Sequence, residues 1–187
     1  GAVQLAASQI TIQVLSFSFM PLWGLTTAAS VLTGNAIGAG DLDRAAHFGR
    51  QTYKVGSYYS LVLALLIVLL RHQLFRVFSD DPAVLALGGG LCLAAAIFQW
   101  FDGIRMLSSG ILQGAGDTRY TMLVTLVLMW GGFIPLTWYL VVVRDGSVMA
   151  AWVGASACYL LQGWFMWRRF ESGRWRRIDI FGARAAG

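Results

Sequence analysis

The sequence predicts an all-α membrane protein, a polytopic bundle of transmembrane helices. Of its 187 residues 57% are hydrophobic and only 12% are charged, about half the charged fraction of an ordinary soluble domain. Charged residues are also absent from five stretches of 40, 16, 20, 24 and 22 residues. Because a membrane-spanning helix needs about 20 consecutive apolar residues, these stretches predict five spans.

Hydropathy and turn residues place the five spans in order. The first ends in Gly-Ala-Gly-Asp, whose glycines suit a left-handed helix cap and whose aspartate can cap the second span. A polar Ser-Asp-Asp-Pro turn precedes the third span, and a short Arg-Asp-Gly turn separates the fourth from the fifth. The predicted spans are 5–37, 42–70, 83–112, 120–143 and 148–170, within a domain of residues 1–172, followed by a basic tail at 173–187.

Basic residues are distributed unequally between the two ends of the predicted bundle. Ten of the 14 Lys and Arg residues fall on one side, three on the other, and Arg105 lies inside the third span. Because positively charged loops stay in the cytoplasm, we expect the C-terminus inside and the N-terminus outside. The arginines and tryptophans of residues 164–177 are expected to touch anionic headgroups. Membrane lipids are therefore predicted partners, and nucleic acid is not.

Asp102 is an acid in the apolar interior of the third span. A carboxylate at that depth costs at least a few kcal/mol to insert, so it needs a partner, water or a proton. At about 100° per residue, Asp102 shares a stripe with other polar or polarizable residues, which is typical of a helix facing a hydrated cavity. The stripe contains Cys92, Gln99, Met106, Ser109 and Gln113. We therefore predict that Asp102 is the functional acid and that Met106 and Ser109 line the cavity.

Two arrangements of Asp102 are open. In one, it pairs with Arg105 one turn away, which neutralises both charges and ties the helix end to the interface. In the other, Arg105 lies about 40° outside the stripe and extends towards the cytoplasm. That second arrangement leaves Asp102 free to bind either a metal ion, Na⁺, or a proton.

The first span has a face that contains two glutamines, Gln9 and Gln13, together with Ser16 and Met20. Packing of small residues between helices explains the serines and threonines of this span, and explains the glutamines less well. Prolines at 21 and 135 predict kinks in the first and fourth spans.

No enzyme activity and no cofactor are expected. The sequence has no nucleophile elbow, no phosphate-binding loop and no paired catalytic carboxylates. Its two histidines have no cysteine or second histidine at ligand spacing, which argues against a zinc-type site. Both cysteines lie in apolar runs and are expected to be small buried hydrophobes.

Gly-Ala-Gly-Asp occurs twice, at 38–41 and 114–117, at the same predicted end of the bundle. With its surroundings, the sequence resembles the multidrug and toxic compound extrusion (MATE) transporters, NorM-type members above all. The motifs that carry this resemblance are Ala-Ala-Ser-Gln-Ile at 6–10, Phe-Met-Pro at 19–21, Gly-Asn-Ala-Ile-Gly-Ala-Gly-Asp at 34–41, Phe-Gln-Trp-Phe-Asp at 98–102 and Gly-Ile-Leu-Gln-Gly-Ala-Gly-Asp-Thr at 110–118.

The resemblance implies that the five spans are helices eight to twelve, the C-terminal lobe, of a twelve-helix transporter. It implies multidrug efflux from a bacterial cytoplasmic (inner) membrane, with small organic, often cationic drugs exchanged for Na⁺ or H⁺ as the coupling ion. Asp102 and Gln99 would then bind the cation or proton, and Gln9, Gln13 and Met20 would line the substrate cavity. Ser8 stands where the family commonly has His, and Gln13 where Asn is common, which bears on substrate preference.

The resemblance also implies missing parts. The N-terminal lobe and the seventh helix, which brings a second acid to the cation site, are not in the chain. Because the chain also begins without Met, we expect a fragment that does not transport alone and whose partner is the N-terminal lobe. Two alternatives are a lipid-linked oligosaccharide flippase of the same superfamily, which would need several cationic cavity residues, and a non-transporting membrane scaffold or decayed half-transporter.

Overall fold

A computed structural model describes residues 2–78, 82–144 and 148–178, and all regular secondary structure in these ranges is helical. The all-α fold class is therefore confirmed. The α-helices are α1 (Ala2–Gly38), α2 (Leu42–Leu69), α3 (Arg71–Phe78), α4 (Pro82–Gly114), α5 (Thr118–Leu126), α6 (Ile134–Trp138) and α7 (Val148–Glu171), followed by a 3₁₀ helix, Arg174–Arg177.

Four helical stretches are long and apolar enough to cross a membrane, and they match the first four predicted spans. They are Ala7–Gly38, Leu42–Leu69, Gly88–Gly114 and Thr118–Val143. The fifth predicted span is helical as α7, but its tryptophans, Tyr159 and Gln162 make its described part less apolar. Of the turns predicted at 79–82 and 144–146, residues 79–81 and 145–146 lie outside the described residues, as does the tail beyond Ile178.

The short helix α3 was not predicted, because it is only 8 residues long and half of them are polar or charged. One side chain explains why it forms. Phe75 is 1% exposed and lies where a Cβ on Gly88 of α4 would be. Burying this ring against α4 therefore holds α3 in place, by about 2 kcal/mol for a phenylalanine side chain.

The fourth span is continuous from Thr118 to Val143 but changes its helical pitch. Two π-helical segments, Val127–Phe133 and Tyr139–Val143, lie on either side of α6, which contains Pro135. Proline has no N–H to donate and clashes with the preceding turn, and wider turns accommodate this locally. Helix α1 is continuous through Pro21. The kinks expected at the two prolines stay predictions.

Helix α4 is the centre of the bundle and packs against α1, α2, α3 and α7. Glycines allow the close approach of α1. A Cβ on Gly110 would meet the backbone of Thr26, and one on Gly114 would meet the backbone of Ser30. Small residues of this kind let helices in a membrane pack backbone to backbone, where water exclusion contributes little.

Three ion pairs connect different elements at one end of the bundle, which we call the basic end. Arg50 of α2 pairs with Glu171, Arg169 of α7 pairs with Asp117, and Arg176 pairs with Asp43. These are bonds between the ends of α2, α4, α7 and the 3₁₀ helix, so the segments predicted to share one side of the membrane do lie together.

The 3₁₀ helix folds back onto the basic end. Trp175 is 2% exposed, its Nε1 donates to the carbonyl oxygen of Phe170 at 2.9 Å, and the two rings are stacked at 5.6 Å. The expectation that Trp175 lies at the lipid interface is therefore wrong, since this tryptophan completes a buried cluster. The cluster consists of Ala29, Ala36, Ala45, Ala46, Ile111, Leu112, Ala115, Met166, Phe170 and Trp175.

Candidate functional site

The centre of the candidate site is an ion pair on α4. Asp102 is 2% exposed, and its Oδ1 accepts from Nε of Arg105 at 2.6 Å and lies 2.5 Å from Nη2. The two residues are one helical turn apart, so the pair forms within α4 itself. Of the two arrangements open to the sequence, the structure shows the paired one.

One aromatic side chain of α7, Tyr159, contacts the pair, and a second, Trp152, packs against Phe98 of α4 beside it. The guanidinium of Arg105 lies over the ring of Tyr159 at 4.9 Å, a cation–π geometry. Phe98, one turn before Asp102, packs against Tyr159 at 5.0 Å and edge-on against Trp152 at 5.3 Å. The orientation of Arg105 is therefore determined by α7 as well as by Asp102.

A cavity of about 600 Å³ lies beside this pair, between α1, α4 and α7. Its lining is mostly apolar and aromatic, with one acid and one base. The lining residues are Ile12, Leu15, Ser16, Phe19, Trp23, Phe98, Asp102, Arg105, Met106, Trp152 and Tyr159. Sites for small organic ligands are typically apolar concavities that contain only a few polar groups.

A second cavity of about 420 Å³ continues towards the basic end and shares Trp23, Arg105 and Met106 with the first. It is more polar, because α1 supplies hydroxyl groups and α4 supplies an amide. Its further lining residues are Thr26, Thr27, Ser30, Ser109, Gly110 and Gln113. Gln113 donates to the hydroxyl of Ser109 at 2.7 Å. Arg105 thus lies where the aromatic cavity meets the polar one.

Some residues of the stripe predicted on α4 line the two cavities, and others do not. Asp102 and Met106 line the aromatic cavity, and Met106 and Ser109 line the polar one. Gln99 lines neither. It is fully buried, and neither its Nε2 nor its Oε1 has a hydrogen-bond partner in the described part of the chain. A buried amide without partners is costly, so Gln99 next to Asp102 is a polar group with unused bonding capacity.

Gln9, Gln13 and Met20 lie elsewhere on α1. All three are exposed, Met20 by 81%, and none is among the residues that line the two cavities. Ser16, which was predicted on the same face, does line the aromatic cavity. At about 100° per residue the other three lie on average roughly a quarter turn from the α1 residues of that cavity. Their role as substrate-cavity residues stays a prediction, and they form an uncovered strip on α1 that contains two amides.

Trp152 and Tyr159 are functional-site residues that could not be identified from the sequence. They are seven residues apart on α7 and so lie on one face of that helix. This spacing was available in the sequence, but nothing in it shows that this face meets Arg105. Within the described residues, no group of three or more His, Cys, Asp or Glu side chains could hold a metal. A cation here would depend on Asp102 and on amide, hydroxyl or carbonyl oxygens.

The family model and the related sequences all point to one family. The sequence model of the MatE family matches residues 1–139. The "Probable multidrug resistance protein NorM" of Xanthomonas campestris pv. campestris is 38% identical over 139 residues, covering 73% of this chain and 30% of that protein. The NorM of Thermotoga maritima is 27% identical over 180 residues, covering 96% of this chain and 39% of that protein. "Multidrug resistance protein PmpM" of Pseudomonas aeruginosa is 36% identical over 132 residues, covering 70% of this chain and 28% of that protein.

Two solved structures share the fold. The eukaryotic MATE transporter AtDTX14 superposes with a TM-score of 0.87 at 17% identity, over 94% of this chain and 39% of that one. The MATE transporter ClbM, solved in complex with Rb⁺, superposes with a TM-score of 0.79 at 22% identity, over 95% of this chain and 42% of that one. The chain thus spans well under half the length of the relatives it matches.

Proposed function

Since the chain belongs to the MatE family, the multidrug and toxic compound extrusion transporters, we propose that it is the C-terminal part of a secondary active multidrug efflux antiporter. Relatives named as multidrug resistance proteins support this proposal. The exported compounds would be small organic, often cationic drugs. The transporter would lie in a bacterial inner membrane with this chain's C-terminus in the cytoplasm, which the bacterial relatives and the basic end support.

The proposed transporter needs a second half. This chain covers between 28% and 39% of the three curated relatives described above. The uncovered strip on α1 supports a missing partner, because two of its three residues, Gln9 and Gln13, are polar and would be costly to expose to lipid. We propose that an N-terminal lobe covers this strip and that the strip then faces a substrate path between the lobes.

The observation that carries the proposal is the buried pair of Asp102 and Arg105 at the edge of an aromatic cavity. Arg105 contacts Oδ1 of the carboxylate. An arriving Na⁺ or proton would compete with the guanidinium for Asp102, and Gln99 could contribute its unpartnered amide oxygen to a metal ion. ClbM was solved in complex with Rb⁺, which supports a monovalent cation in a protein of this fold.

Competition at Asp102 would couple export of the drug to binding of the ion. A cationic drug is attracted to the aromatic rings of the cavity and to the carboxylate. Ion binding would release Arg105, whose charge then repels the drug from the cavity that it also lines. Among the described lining residues, Arg105 is the only basic one, so the oligosaccharide flippase, which would need several, is not proposed.

The test measures efflux of a fluorescent cationic dye from cells that express the complete reading frame encoding this chain. Asp102→Asn should abolish efflux driven by an imposed Na⁺ or H⁺ gradient, because the amide carries no charge for the coupling ion. The matched control is Asp117→Asn, which also neutralises a buried, arginine-paired aspartate but lies outside both cavities. At equal membrane levels the control should retain efflux.

A double variant separates coupling from charge neutralisation. If the pair served only to cancel two buried charges, Asp102→Asn with Arg105→Gln would restore efflux lost in the single variant. The proposal expects the double variant to reach the membrane at normal levels and still not couple efflux to the ion gradient. Unchanged efflux in Asp102→Asn, or restored coupling in the double variant, would contradict the role given to Asp102.

A further inference from the structure

The arginines at the basic end fall into two groups. Three form ion pairs with acids of other elements, at distances of 2.7 to 3.0 Å, and hold the end of the bundle together. The other five, Arg44, Arg119, Arg168, Arg174 and Arg177, have no acidic partner among the described residues, and of these Arg168 and Arg174 lie near the end of α7. Their charges are therefore available to something outside the described chain.

Both of these arginines line the same cavity. It has a volume of about 320 Å³ and lies between the start of α5 and the end of α7. Its lining residues are Tyr120, Phe165, Arg168, Arg169, Ser172 and Arg174. Of the three arginines only Arg169 is neutralised, by Asp117 at 2.7 Å, so the cavity has a net positive charge of about two.

The hydroxyl groups of this cavity are already used as donors. Tyr120 donates to the carbonyl oxygen of Phe165 at 3.3 Å, and Ser172 donates to that of Arg169 at 2.7 Å. The remaining donors are guanidinium N–H groups, which favour planar, oxygen-rich anions such as phosphate. A ligand rich in acceptors and negative in charge therefore fits this lining.

The surface that leads into the cavity is apolar. Leu161, Phe165, Arg168 and Ser172 follow one another at spacings of four, three and four residues, so they form a single stripe on α7. Leu161 is 47% exposed and Phe165 is 38% exposed. Trp164 beside the stripe is 47% exposed, and Arg168 lies over its ring at 5.1 Å. The stripe therefore changes from apolar to basic towards the end of α7.

We propose that this cavity binds the phosphate of an anionic phospholipid, with Arg168 and Arg174 at the phosphate and the acyl chain along Phe165 and Leu161. The net positive charge of the cavity accounts for the preference for a headgroup with a net negative charge. The apolar stripe favours a lipid over soluble phosphate, because a free anion would use the arginines alone. Ordering Arg174, which lies in the 3₁₀ helix, would also fasten that helix to the membrane surface.

The experiment is native mass spectrometry of the delipidated protein in detergent, titrated with phosphatidylglycerol. Arg168→Gln with Arg174→Gln should weaken phosphatidylglycerol binding by a factor on the order of thirty, from about a factor of five per arginine near an anionic headgroup. The matched control is Arg119→Gln with Arg177→Gln, which removes the same charge from exposed positions at the same end but outside the cavity. This control should bind phosphatidylglycerol as the unaltered protein does.

Three results would overturn the proposal. Phosphatidylcholine binding as tightly as phosphatidylglycerol would exclude an anion-selective site. Equal weakening in the control would show that general surface charge attracts the lipid. Displacement of the lipid by excess inorganic phosphate would identify a site for a soluble anion instead. Leu161→Ser gives an independent check that leaves the arginines intact, because it should weaken long-chain phosphatidylglycerol and leave binding of a short-chain form unchanged.

Discussion

The two Gly-Ala-Gly-Asp turns end their helices in the same way and use their aspartates differently. In the turn at 38–41, Gly40 has φ 79°, and the N–H of Asp41 donates to the carbonyl of Ala36 at 3.0 Å. In the turn at 114–117, Gly116 has φ 77°, and the N–H of Asp117 donates to the carbonyl of Leu112 at 2.9 Å. Both are left-handed helix caps, which explains why glycine is needed at the third position.

The aspartate side chains differ in their partners. Asp41 is exposed and accepts from the backbone N–H of Arg44 at 2.9 Å, as a helix N-cap does. Asp117 is 4% exposed, makes no side-chain cap and accepts from Nε of Arg169 at 2.7 Å. The tetrapeptide therefore determines the backbone of the turn, while the neighbouring helix determines what the aspartate does. At the second turn that helix is α7, which supplies Arg169.

The largest expected effect comes from breaking the pair at the second turn. Arg169→Ala should lower the free energy of unfolding by about 3 kcal/mol, because it leaves the buried carboxylate of Asp117 without a counter-charge. Asp41→Ala in the first turn should cost about 1 kcal/mol, the value of a lost N-cap. Unfolding in mixed detergent–SDS micelles measures both. Equal losses would show that the two aspartates have equivalent roles.

A smaller effect is expected at the first glycine of each turn. Gly114→Ala would place a Cβ against the backbone of Ser30, so α1 and α4 must separate, at a cost of about 2 kcal/mol. Gly38 is exposed within α1, and Gly38→Ala should change stability by less than about 0.5 kcal/mol. Gly89→Ala is a control within α4, since nothing lies within 4 Å of its Cβ position. If Gly114→Ala left the free energy of unfolding unchanged, α1 and α4 would be less tightly packed than their geometry indicates.

The smallest difference is expected at the third glycine, where the turns are alike. Gly40→Ala and Gly116→Ala each force a residue with a Cβ into the left-handed region, which costs about 1 kcal/mol. The same SDS titration should therefore give equal losses for the two variants, within about 0.5 kcal/mol. A clearly larger loss for Gly116→Ala would show that its surroundings, and not only its φ, determine the cost.

Much of the fold could be predicted because its signals are local. Long charge-free runs set the helices, and glycines with a following aspartate set their ends, so the bounds agree within a few residues. Helix α3 could not be found in this way, because Phe75 gains its stability from a space at Gly88 that only the folded bundle provides. The π-helical segments beside Pro135 could not be predicted either, because a local sequence does not show over how many turns the helix will accommodate the proline.

The site shows the same limit. Helical phase groups Asp102 with Met106 and Ser109 on one side of α4, because residues of one helix keep their relative directions, and of the three Met106 lines both cavities. Phase also groups Gln9 and Gln13 on one face, but it cannot show which face of α1 meets α4. The choice between a free and a paired Asp102 depends on Tyr159, which holds Arg105 from another helix. Contacts between helices were thus the part that the sequence left open.

The fold-back of Trp175 has a consequence for synthesis. The buried cluster that this tryptophan completes draws residues from α1, α2, α4 and α7, so it spans most of the chain from Ala29 onwards. Ribosomes deliver the chain from its N-terminus, and the earlier helices insert before the last residues are made. The basic end therefore closes only after Trp175 has left the ribosome, and until then the ring of Phe170 contacts the indole of Trp167 but lacks the stacked indole of Trp175.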